Sequence, residues 1–333
     1  MRPPNVNEAY ALGLDGRSDD RFSGPLQRLL YIQASPNLSA LRGPELAALA
    51  QHCRERFFPE GSVIYEGSEP VTRAHILVEG GVDLVHDGVV QRTVQAPYAV
   101  GMIPMFAGKS AHGVANADTL ALEITRAQLF EAMEENFAVL HSAIVRMLRD
   151  VNDVQRFLDV RGHMARTEPE EVPYPVDDLD MVQRIGLLRR GFYEDTNLEP
   201  IVELARRGEE LRAEDGDVLW TQGDPGGWGL HVVHGVIRCH EESGVRDFRM
   251  GPGSVVGYID AHAANPRAYT ATVEGRLVAF KGTTETFFDV LEDNFELGMG
   301  FLSALSTALV GLYEKVAEIE GAAPSQSGTS LIA

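Results

Sequence analysis

Residues 251–280 read GPGSVVGYIDAHAANPRAYTATVEGRLVAF. A Gly-Pro-Gly turn opens onto a short apolar run. Gly257 follows, then a polar loop, then Pro266-Arg267-Ala268-Tyr269-Thr270, then alternating strand residues. Successive backbone N–H groups in a tight loop form a nest for an anion. An Arg adds a planar fork suited to two phosphate oxygens, and Arg267 is placed to supply it. The plainer reading of Arg267 is a solvated or salt-bridged loop residue. Tyr258, next to Gly257, carries no charge at neutral pH and offers no carboxylate. Asp260 stands two residues further on.

Working outward, the chain repeats itself. FEAMEENF (130–137) matches FDVLEDNF (288–295), with Phe130 and Phe288 separated by 158 positions. Gly61 and Gly216 lie 155 apart, Gly67 and Gly223 156, and Pro97 and Pro252 155. Near-constant offsets over separate motifs mean a duplicated domain. Each copy carries short β-rich runs broken by Gly, Pro and Asp, the pattern of antiparallel strands in a roll. In the first copy these are 57–70 and 75–94, closed by LALEIT at 120–125. Helical spacing is expected over 25–33, 43–56 and 181–212. The first cassette occupies 97–117, where Gly101 falls at the place of Gly257, Met102 at that of Tyr258 and Ala111 at that of Arg267, with His112 beside it. It therefore lacks the fork. Lys109 and His112 are the available cations there.

A long helix closes each copy. Leu140, Ile144, Met147, Val151, Val154 and Leu158 form a narrow heptad-like stripe, repeated at Leu302, Leu305, Leu309, Leu312, Val316 and Ile319. Such stripes either pack on their own β-roll or meet a second copy; the regularity favours a homo-oligomer through helices 138–160 and 298–319. The expected layout is a loose arm at 1–24, a first domain at 25–161, an acidic Pro-rich linker at 162–180, a second domain at 181–320 and a tail at 321–333.

The chain has 333 residues and a formal net charge of −20. That charge disfavours nucleic acid and anionic membrane surfaces. No basic segment followed by an apolar core opens the sequence, and no apolar run approaches a membrane span, so a cytoplasmic protein is expected. The two cysteines, Cys53 and Cys239, have neither disulfide nor metal spacing. We find no catalytic constellation and no metal set.

Gly257, Pro266-Arg267 and Thr270, spaced as they are, resemble the phosphate-binding cassette of cyclic nucleotide-binding domains, the family found in catabolite activator protein and in protein kinase A regulatory subunits. The resemblance covers about residues 40–160 and 196–320. It implies an α+β protein with two tandem cyclic nucleotide-binding-like β-rolls (a double-stranded β-helix or jelly roll), each flanked by helices. It implies ligand contacts in the second cassette from Gly257, Tyr258, Ile259, Asp260, Arg267, Ala268, Tyr269 and Thr270. The ligand implied is cyclic AMP, cyclic GMP or another phosphorylated molecule. The degenerate first cassette, Gly101, Met102, Ala111 and His112, is expected to be structural. Two functions stay open: a non-catalytic sensor acting on a protein partner by contact, or a scaffold that kept the fold and lost the ligand.

Overall fold

The computed structural model describes residues 24–322 apart from 36–37, 39–40, 68, 87, 109–110, 165–167, 190–196, 245 and 264. Residues 1–23 of the expected arm and 323–333 of the expected tail lie outside the described residues.

Helices α1 (Pro25–Ala34) and α2 (Gly43–His52) lead into strands β1 (Arg54–Phe58), β2 (Val63–Tyr65), β3 (Arg73–Glu79), β4 (Gly81–His86), β5 (Val89–Gln95) and β6 (Ala99–Val100). Then come α3 (Met102–Ala107), β7 (His112–Ala115), β8 (Thr119–Thr125), α4 (Arg126–Glu135) and α5 (Phe137–Val160). The strands form two antiparallel sheets, β1-β8-β3-β6 and β2-β7-β4-β5. The chain passes from one to the other at Gly80, whose φ is +80°. A Cβ there would sit 2.5 Å from Asp118 O, so the corner requires glycine.

The second copy follows the same path: α6 (Met181–Arg189), α7 (Leu198–Arg207), β9 (Glu209–Ala213), β10 (Val218–Trp220), β11 (Trp228–His240), β12 (Asp247–Met250), β13 (Val255–Val256), α8 (Tyr258–His262), β14 (Thr270–Thr283), α9 (Thr284–Asp293) and α10 (Phe295–Ala322). Here β11 and β14 run unbroken through both faces, so one six-stranded sheet, β10-β14-β11-β12 with β13 on β11 and β9 on β14, makes the roll. The α+β class with β-rolls and flanking helices is the observed one.

Two expected helices end early. Residues 54–56 belong to β1, where burial alternates and Phe57 points into the core. Residues 209–212 belong to β9 rather than to the helix expected over 181–212. Gly208 explains the stop: the Phe280 ring lies where its Cβ would be, and the chain leaves the helix to pair with β14. The linker has neither helix nor strand over 168–180, yet it is strapped to the second roll. Arg212 donates to Tyr174 Oη at 2.9 Å, Pro175 O at 3.0 Å and Asp177 O at 2.8 Å.

The striped helices face each other inside one chain. In α5, Leu140, Ile144, Met147, Val151, Val154 and Leu158 are buried; in α10, Leu302, Leu305 and Leu309 are. A Cβ on Gly298 would lie 2.8 Å from Leu140 Cδ2, and Ser306 Oγ is 3.1 Å from Met147 Sδ. Leu140 and Gly298 are themselves equivalent positions, 158 apart. Equivalent residues opposite one another are the mark of a two-fold axis, so the two copies meet as the halves of a dimer would. These are the helices on which a homo-oligomer was expected, and the buried stripe positions are occupied within the chain.

The crossing extends beyond the helices. Arg149 on α5 donates through Nε to Ala263 O, 2.9 Å away beside the second cassette, and Ser303 on α10 donates to Phe106 O, 2.9 Å away in the first. Each long helix thus rests on the other copy's cassette helix. One core runs through both helical layers, joining Leu46, Leu140 and Ile144 to Ile201, Phe287 and Leu302.

By length and composition Phe295–Ile319 does reach a membrane span, with 25 residues at mean hydropathy 1.5, contrary to the expectation from sequence. Its Leu302, Leu305 and Leu309 are buried against α5 and the shared core, and a core helix passes the same test.

Candidate functional site

The second cassette hangs between β13 and β14. Gly257 takes φ +80° to turn the chain from β13 into α8. The loop after β10 clamps it from the other side: Arg267 N donates to Asp224 O at 2.9 Å, and Gly223 N donates to Arg267 O at 2.9 Å. Gly226 is needed for this approach, since a Cβ there would meet Ala261 Cα and Asn265 O at 2.9 Å.

Arg267 is 1% exposed. Its fork is already engaged: Nη1 donates to Gly257 O at 2.8 Å and Nη2 to Trp228 O at 2.6 Å. The guanidinium lies 4.1 Å from the ring centroid of Trp220 and 5.0 Å from that of Trp228. The indoles meet edge to face at 5.1 Å and 82°. A cation held against indole rings and away from water gains about 2 kcal/mol. Burial lowers the Arg267 pKa, while Tyr269, Asp260 and Asp224 oppose that shift. Arg267 Nε and Trp220 Nε1 are buried donors without a partner among the described residues.

Asp260 is 3% exposed and accepts from Ala268 N at 3.3 Å. Burial pushes its pKa up; the Ala268 N–H, Arg267 and Arg246 pull it back. Tyr269 points into the roll, 5.4 Å from Phe248 and 6.1 Å from Trp220 by ring centroids. With Leu230, Ile237, Cys239 and Val273 these rings pack the interior as a hydrophobic core. Thr270 Oγ1 accepts from Gln222 N at 2.9 Å and so fixes the clamp loop.

The remaining candidates turn elsewhere. Tyr258 lies on the backbone of β11 and β14, where a Cβ on Gly229 would come within 2.5 Å of its ring. Burial raises its pKa. Ile259 packs with the ends of α5 and α10. The structure thus brings together Gly257, Asp260, Arg267 and Ala268, with Tyr269 and Thr270 behind them, and leaves Tyr258 and Ile259 outside the group. A methyl on Gly257 would meet Arg267 Nη1 at 2.6 Å and the Trp220 ring at 2.9 Å, at a φ that L residues resist. Gly257→Ala is expected to cost about 2 kcal/mol, read from the urea midpoint.

Trp220, Trp228, Arg246, Glu241 and Asp159 were not legible as site residues. A signal for Trp220 existed: it stands 155 positions after Tyr65, so both copies place an aromatic at the end of the same strand. Arg246 donates through Nε to Asp159 Oδ2 at 2.6 Å and through Nη1 to Glu241 Oε1 at 3.3 Å. All three are nearly buried, and the cluster ties the β11–β12 hairpin to the end of α5.

In the first cassette Gly101 has φ +85°, and a Cβ there would meet Arg73 O at 2.7 Å. Met102 packs against the core, and Ala111 is half-buried. His112 Nδ1 lies 2.6 Å from Glu66 Oε2, with both side chains largely in solvent. Lys109 lies outside the described residues. A phosphate fork is therefore absent here among the described residues. No group of three or more His, Cys, Asp and Glu suited to a metal occurs among them either. A cavity of about 870 Å³ lies between the linker, α6 and the Gly251–Ser254 turn, and neither Arg267 nor Asp260 lines it.

The chain builds one frame twice, a β-roll with a short cassette helix and a long closing helix, and only the second copy has an arginine at the position of Arg267. Residues 55–136 match the family model of the cyclic nucleotide-binding domain. That match falls on the first copy, so it rests on the frame and not on the arginine. No curated protein matches the chain. Among solved structures it is similar to a mutant regulatory subunit of a cAMP-independent protein kinase A from Trypanosoma brucei, bound to cAMP in the A site. The identity is 14%, over 85% of this chain and 94% of that one, with a TM-score of 0.35. The corresponding Trypanosoma cruzi subunit, bound to guanosine, is 13% identical over 93% and 98%, with a TM-score of 0.33. A cyclic nucleotide-binding-like protein from Brucella abortus is 23% identical over 33% of this chain and 97% of its own, at 0.30.

Proposed function

We propose that the protein is a non-catalytic regulatory module that acts on a protein partner by contact and does so without a cyclic nucleotide. One observation carries this reading: the Arg267 fork is spent on Gly257 O and Trp228 O. A cyclic phosphate would have to displace two charge-assisted bonds to the backbone, each worth about 1.5–3 kcal/mol. The packed interior around Trp220, Phe248 and Tyr269 supports the same conclusion, since a base would need the space those rings fill. Of the two functions the sequence leaves open, this reading keeps the partner contact of the first and the lost ligand of the second. The first cassette, lacking the arginine, serves as structure beneath α10. The surface offered to a partner is the outside of the paired α5 and α10, whose stripes are turned inward.

Calorimetric titration with cyclic AMP and cyclic GMP tests this. The expected result is no saturable heat with either nucleotide. Micromolar binding that disappears in Arg267→Ala would overturn it and make the second cassette a working sensor.

A further inference from the structure

The second cassette holds buried donors without acceptors, and a buried carboxyl group on its loop N–H. Ala268 N points at Asp260 Oδ2, 3.3 Å away. Arg267 Nε and Trp220 Nε1, both buried, lack a partner among the described residues. A loop N–H beside an Arg and further N–H groups is the chemistry of an anion hole. Asp260, 3% exposed, takes the loop N–H, and Arg267 acts on it through its charge rather than by a hydrogen bond. The two copies supply an independent check. At the offset of 156 that relates Ala111 to Arg267, Asp260 corresponds to Pro104. The copy without the cation is also without the carboxylate, so the two groups occur together or not at all.

We propose that Asp260 fills the seat of an anionic ligand in the second cassette and is the residue that excludes phosphate-bearing molecules from it. A phosphate brought to the Ala268 N–H would share a buried corner with a carboxylate, and like charges there repel strongly. Removing the carboxylate leaves a hole lined by donors, suited to a small oxyanion such as formate or inorganic phosphate. This rests on the reading that the cassette is closed, and adds which residue closes it.

The chain's two tryptophans are Trp220 and Trp228, both on Arg267, so tryptophan fluorescence, excited beyond the tyrosine band, reports on this site. Wild type, Asp260→Ala and Asp260→Asn are titrated with sodium formate, sodium phosphate and cyclic AMP, against sodium chloride at equal ionic strength. In Asp260→Ala, a saturable response to formate or phosphate is expected, at least about tenfold tighter than in wild type, the size of one charge-assisted hydrogen bond. It is expected to vanish in Asp260→Ala/Arg267→Ala and to be absent in Asp260→Asn, whose amide still fills the seat. If Asp260→Ala does not fold, Asp260→Ser carries the same test. A folded Asp260→Ala or Asp260→Ser that responds no better than wild type overturns the proposal. Binding of cyclic AMP by wild type overturns the closed reading itself, so the two failures are told apart.

Discussion

Replacing Arg267 by Ala is expected to remove about 3 kcal/mol of stability, read by urea denaturation, and to change no affinity for cyclic AMP. In a working nucleotide site the reverse would hold, with stability nearly unchanged and affinity lost. The expectation follows from what the side chain touches. Its two Nη groups satisfy Gly257 O and Trp228 O, and its plane lies against Trp220. Truncation strands two carbonyls and opens a void beside the two indoles. Lost charged hydrogen bonds count about 1.5–3 kcal/mol each, and large-to-Ala changes in cores about 3–5 kcal/mol. Relief from burying a cation returns part of this, as the downward pull of burial on its pKa indicates. Arg267→Met, which keeps the bulk, is expected to cost less, about 1–2 kcal/mol. An Arg267→Ala protein as stable as wild type would sink this account of the cassette.

The larger effect is expected at Arg246. It holds Asp159 and Glu241 at 2.6 Å and 3.3 Å, and side-chain exposures of 8%, 11% and 2% leave little water to take its place. Arg156 lies 3.6 Å from Glu241 and is 59% exposed, so it cannot replace a buried partner. Arg246→Ala therefore takes from Asp159 and Glu241 the buried cation they share, leaving Glu241 with Ser243 Oγ at 3.2 Å and the exposed Arg156, at a cost of about 3–5 kcal/mol. Because Asp159 belongs to the first copy and Arg246 to the second, the loss falls on the joint between them. Scanning calorimetry is expected to show one transition for wild type and two for Arg246→Ala. The combination Arg246→Met, Asp159→Asn, Glu241→Gln is expected to recover most of the stability, since it removes charge and counter-charge together. A single unshifted transition in Arg246→Ala would mean that the hairpin does not hold the joint.

Much of this fold is visible in the sequence for local reasons. Gly101 and Gly257 mark the cassettes because each must adopt a positive φ, and no neighbour far along the chain is needed to see that. The capping residues behave likewise: Thr125 accepts from Gln128 N, and Thr283 from Thr286 N, at the start of equivalent helices. Where the local pattern was ambiguous it misled. Residues 209–212 have helical composition, but Gly208 sits under Phe280, which comes from a strand far along the chain, and that contact ends the helix.

The site was legible only in part. Arg267 and Asp260 could be named, but not their partners. Gly257 O and Trp228 O are backbone atoms, which sequence does not distinguish from any others, and Trp228 enters as the first residue of β11.

By itself the sequence determined the duplication, the two rolls, the position of each cassette and the loss of the arginine from the first. These follow from periodicity, turn residues and offsets, all of which are properties of short stretches. Only the tertiary structure decided that the Arg267 fork is spent within the chain and that α5 and α10 seal each other's stripes. A narrow apolar stripe has the same pattern whether its partner is another chain or its own second half, and a buried arginine the same letter whether it holds a phosphate or a carbonyl. Which it is depends on the surfaces that folding brings together, 39 residues apart for Arg267 and Trp228 and 159 apart for Met147 and Ser306.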